Sequence, residues 1–149
     1  MEAPDWNPND KSGSLQVWVT ALTEEARRQF LTAGTHVEIF FVFNDEGLEE
    51  VMPAAGMAKD EMVSALKQLL TESKGYAFIH ISEGTARSID STDEADILIV
   101  HAESRDGFSV AYVSTVAMKG EEKLLLDAVE VDGSRLGGRF SNIFQTLTR

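Results

Sequence analysis

Four apolar, β-prone runs follow one another in the second half of this chain with turns between them and no intervening helix. They are "YAFIHIS" over 76–82, "DILIVHAES" over 96–104, "FSVAYVSTVAM" over 108–118 and "LLLDAVEV" over 124–131. Val, Ile, Phe and Tyr suit a pleated, half-buried surface. Consecutive strands joined by short turns pair antiparallel, because a parallel pair needs a crossover of about a dozen residues. "RDG" and "KGEEK" supply two such turns. The first two runs are apolar at nearly every position, which predicts central strands covered on both faces.

The first half adds two helices and a hairpin. Leu15, Trp18, Val19, Leu22, Ala26 and Phe30 make a helical stripe, yet "LQVWVT" also alternates as a strand does, so residues 14–22 stay open between the two. Thr23, followed by Glu24 and Glu25, is the expected N-cap of a helix over 23–33 that stops at Gly34. "HVEIFFVF" and "LEEVMP" form strands around the turn "NDEG", with Pro53 marking an end or an edge. Asp60 and Glu61 open a second helix with Met62, Ala65, Leu66, Leu69 and Leu70 on its buried face, closed at Lys74-Gly75. A chain of 149 residues is one domain in size. The expected fold is α+β: a mostly antiparallel sheet of about six strands, two helices packed on it and a short C-terminal helical segment. This element order is similar to that of profilin-like and roadblock-like domains, a likeness of architecture that implies no function.

Residues 1–13 read as a flexible lead containing Trp6, residues 14–133 as the domain, and residues 134–149 as a tail of different character. The tail holds Arg135, Arg139 and Arg149 and no acid. Phe140, Ile143, Phe144 and Leu147 fall at helical spacing after the joint Gly137-Gly138. So short a helix is marginal alone and needs a surface, on its own domain or on a partner.

The net charge of −12 repels phosphate backbones and anionic membrane surfaces, so neither nucleic acid nor membrane is an expected partner. No cysteine and no basic-then-apolar leader is present, which fits a cytoplasmic location. In size, acidity and mixed composition the chain is similar to the small acidic chaperones of bacterial secretion systems, although its element order differs.

The stretch "FIHISEGTARSIDSTDEAD", residues 78–96, is where chemistry would be sought. "HISEGTARSID" resembles metalloprotease loops in which a second histidine follows the first by two residues, but Ser82 stands at that position. Asp90, Asp93, Glu94 and Asp96 lack the alternate spacing and central glycine of a calcium loop. Ser82 or Ser88 with His101 and Asp106 lies outside any nucleophile elbow, and "GSRLGG" is no phosphate loop. The stretch therefore reads as a strand end followed by a solvated acidic connection. No cofactor, metal or catalytic residue is assigned. The expected function is a non-catalytic binding or interaction domain for a protein partner or for itself as a homodimer, using Trp6, Trp18, Arg139, Phe140, Ile143, Phe144 and Leu147. The alternative is a small hydrolase or metal-dependent enzyme built on His80, Ser82 and the 83–96 loop.

Overall fold

The strand-rich second half folds into an antiparallel sheet, and the helices pack on its two sides. The computed structural model describes residues 1–87, 94–136, 140 and 142–147. In chain order the elements are α1 (Lys11–Ala33), β1 (Ile39–Asn44), β2 (Gly47–Pro53), α2 (Lys59–Glu72), β3 (Ala77–Arg87), β4 (Glu94–Ser104), β5 (Ser109–Lys119), β6 (Glu122–Leu125) and β7 (Val129–Asp132). Two 3₁₀ turns follow, Gly133–Arg135 and Ile143–Thr146. The sheet runs β2-β1-β3-β4-β5, and β6 and β7 share the outer edge of β5. All pairings are antiparallel.

Three boundaries differ from the sequence reading, each for a physical reason. The helix α1 begins at Lys11, inside the segment read as a lead, and takes in all of 14–22. Leu15, Trp18, Val19, Leu22, Ala26 and Phe30 are all buried together, so the helical stripe prevails over the strand-like alternation. Thr23 is no N-cap. It is buried in mid-helix, with its hydroxyl donating to Val19 O at 2.7 Å, while Asp10 caps the helix by accepting from Gly13 N–H at 3.1 Å. At the other end Gly34, in the left-handed region at φ 79°, terminates the helix as expected.

The second difference lies in the 83–96 stretch. The ladder continues past Ser82, from Ser82↔Ile99 to Arg87↔Glu94, so β3 and β4 form an arm that β5 accompanies as far as Ile97↔Thr115 and that is two-stranded beyond. β1 has already ended opposite Ile81, which leaves the arm's outer part exposed and lets it carry polar residues. Ser88, Asp90 and Asp93 lie outside the described residues. Third, "LLLDAVEV" is two strands. The ladder breaks at 126–128, where Leu126 N–H donates to Thr115 O at 2.9 Å, giving seven strands in place of about six.

Alternation along the strands builds two cores. One face carries Ile79, Ile81, Leu98, Val100, Ala102 and Val110 against α1. The opposite face carries Phe40, Val42 and Phe78 against Met62, Leu66 and Leu70 of α2 and against Ile143 and Phe144 of the tail.

Candidate functional site

On the α2 side of the sheet the register sorts side chains into rows that run across the strands. Val42, Phe78, Glu103 and Ser109 form one row, and Phe40, His80, His101, Ala111 and Val131 the next. Further along the arm come Ser82, Ile99, Val113 and Val129, then Gly84, Ile97 and Thr115, then Ala86 and Ala95. α2 covers the β1 end of this face, and the tail covers the middle of the first two rows. The remaining rows are less covered among the described residues, from Ile97 at 7% exposure to Val129 at 59%.

Under the tail the face is polar at three points. His80 is buried, its ring stacked on Phe40 at 4.1 Å and held against Phe140 at 4.6 Å. Its Nε2 stands 2.7 Å from Glu38 Oε2, and Lys59 Nζ donates to both Glu38 oxygens at 2.9 and 3.0 Å. Burial holds the His80 pKa below its ordinary value, Glu38 opposing, while the hydrogen bond to His80 lowers that of Glu38. The pair is therefore a neutral imidazole donating to a carboxylate. His101, across the ladder, is pushed down to about 4, chiefly by burial and secondarily by His80, and its Nε2 has no partner. Glu103 is buried with 6% exposure and accepts Asn142 N–H at 2.8 Å and Phe144 N–H at 3.2 Å. Burial raises its pKa, and those backbone donors lower it.

This arrangement fixes the tail and leaves the histidines closed. His80 and Ser82 share a face, but His80 spends Nε2 on Glu38 and lies beneath Phe140. Among the described residues no group of three or more His, Asp or Glu side chains is placed to hold a metal ion.

Of the residues expected to form an interaction surface, Trp6, Trp18, Phe140, Ile143, Phe144 and Leu147 pack within the chain. Trp18 is buried at 5% exposure in the α1 core, edge-on to Phe43. Trp6 folds back, stacking on Phe43 at 5.3 Å with its Nε1 donating to Asp45 O at 3.0 Å. Ile143 and Phe144 are buried, and Phe140 and Leu147 pack half-buried beside them. The expected short C-terminal helical segment is a 3₁₀ turn of one round, Ile143–Thr146. Arg139 lies outside the described residues.

What the sheet leaves open is a concavity of about 640 Å³ at the less covered rows. Ile97, Val113, Thr115, Val129 and Val131 form its floor and Ala86, Asp132, Arg135 and Leu136 its rim. Gly84 lies on the same face beside Ile97, where a Cβ would meet Ile99 and Ile97 at 3.8 and 4.0 Å, ordinary contact distances. Val129 is 59% exposed. Sequence reasoning missed this surface. Its one local signal was the pair of alternating valines, 129 and 131, on a strand at the edge of the sheet. Glu103 was equally visible as the one acid between Ile97 and Ser104 in an apolar run, but its partners lie 39 and 41 residues away.

No protein-family model, no curated protein and no solved structure matches this chain. Among the described residues no helix is long and apolar enough to cross a membrane.

Proposed function

We propose that the chain is a non-catalytic binding domain, and that its working surface is the open apolar concavity of the sheet, offered to a protein partner. The observation that carries this reading is the concavity itself: about 640 Å³ floored almost wholly by aliphatic side chains. Binding sites are concave, mostly apolar and of about this volume. The acidity of the chain supports a partner that is not nucleic acid. Of the ionisable groups on this face, Glu103 is occupied in holding the tail and His80 in its bond to Glu38, which supports recognition over reaction chemistry.

The test uses Nile red, a neutral dye that fluoresces in apolar surroundings, with protein at sub-micromolar concentration. Two variants alter the surface and spare the core. Gly84→Val grows a side chain toward the floor, and Val129→Asp places a charge on it. The expected result is a saturable signal in the unaltered chain and its loss in both variants, with no fall in melting temperature. An equal signal in all three proteins removes the concavity as the binding surface.

A further inference from the structure

We propose that the occupant of the concavity is a second copy of this chain, the two sheets packing face to face about a two-fold axis. This rests on the preceding reading of the concavity as a binding surface.

The electrostatics of the patch select among partners. The chain carries a net charge of −12, so two copies repel wherever acidic surface meets acidic surface. The lining of the concavity departs from that average. Its nine residues hold one acid, Asp132, and one base, Arg135, and the rest are uncharged. Asp132 and Arg135 stand 3.9 Å apart on its rim, so the patch is neutral as a whole. A basic protein partner would be recruited by uncompensated carboxylates, and this lining has none. A partner that matches is apolar, with one acid and one base at its edge. The chain itself presents that surface.

The shape agrees with the charge. The floor belongs to one face of β4, β5 and β7, whose β-branched side chains stand on the side of the sheet away from α1. Two antiparallel sheets pack through such faces at about 10 Å, their inner side chains interdigitating. A two-fold axis through the concavity makes the contact isologous, so that it closes at two copies. It also sets Arg135 of each copy against the acid of the other, exchanging a solvated contact within one chain for one between chains. Arg135, 87% exposed, turns to that acid, while Asp132 stays in place with its Oδ1 accepting from Ser134 N–H and Oγ at 3.0 and 2.7 Å.

Sedimentation equilibrium tests the proposal on the full chain, alongside Val129→Asp, Gly84→Val and the Nile red signal. The expected result is a species of twice 16.4 kDa in the unaltered protein at roughly 100 μM. Both variants are expected to raise the dissociation constant by about tenfold or more. The dye signal per chain is expected to fall as the unaltered protein is concentrated, because the second copy displaces the dye. A dimer that survives Val129→Asp unchanged overturns the proposal, since the copies then meet elsewhere. A monomer that still binds dye in a Val129-dependent way also overturns it, and leaves the concavity to a different partner. A monomer that binds no dye removes both this proposal and the reading beneath it.

Discussion

Glu103 is a buried carboxylate whose fixed partners are two backbone N–H groups of the tail. Its charge is costly to bury, and the donors it satisfies are costly to abandon. These effects separate on substitution. Glu103→Gln keeps an acceptor oxygen and the shape of the side chain while removing the charge. Because the two N–H groups bond different oxygens, Oε2 and Oε1, the amide NH₂ faces one of them, and the variant is expected to cost about 1 kcal/mol at pH 7. Glu103→Ala leaves both N–H groups without a partner and is expected to cost about 2 kcal/mol. Urea unfolding of the two variants reads the difference, and equal losses would mean that the charge itself holds the tail.

His101 makes the fold sensitive to acid, and His80, also held below its ordinary value by burial, acts in the same sense. The pKa of His101 falls from 6.5 in the unfolded chain to about 4 in the folded one. Below 6.5 the unfolded chain therefore binds a proton that the folded chain does not, and stability drops as pH falls through that window. The integrated loss by pH 4 is about 3 kcal/mol, because each pH unit crossed inside the window removes about 1.4 kcal/mol. Glu103 acts in the opposite sense just above 4.5, because its raised pKa favours the protonated folded state there. His101→Met removes an unpartnered ring nitrogen together with the titration. Its melting temperature is expected to fall less steeply between pH 7 and pH 4.5 than that of the unaltered chain.

At the level of elements, what could be read from sequence depended on how local the deciding interaction was. The face of α2 and the Gly34 stop are encoded within a few residues, and the structure has them where periodicity places them: Met62, Leu66 and Leu70 buried, and Gly34 in the left-handed region. The first half of α1 was ambiguous because Val17, Val19 and Thr20 suit a strand. Only burial against the sheet decides it. The arm of β3 and β4 escaped notice because it runs beyond the core, where cross-strand pairing persists without an apolar pattern. The tail was recognised as an apolar segment in need of a surface. Its docking site depends on Glu103 and Phe78, which no local pattern links to residues 140–147. Phe144→Ala tests that docking. It empties the contact with Phe78, whose ring lies 6.1 Å away, and is expected to cost about 3 kcal/mol in urea unfolding. A cost within about 0.5 kcal/mol, as for an ordinary surface position, would mean that the tail does not rest there.

For the whole molecule, the two faces of one sheet have different fates. α1 seals one of them, while α2 and the tail close part of the other and, among the described residues, leave its arm end the more open. Other large apolar side chains are exposed too, among them Val17 at 56% and Leu31 at 50% on α1, but these stand singly on a helix surface. Val129 and Leu136 differ in bordering a shared concavity. Hydroxyl-radical footprinting read by mass spectrometry, repeated over a concentration series, compares the two groups within one sample. Labelling of Val129 and Leu136 is expected to fall as the protein is concentrated while that of Val17 and Leu31 stays constant. Protection that appears first on Val17 and Leu31, or labelling of all four that ignores concentration, would contradict pairing of two copies through the open end of the sheet.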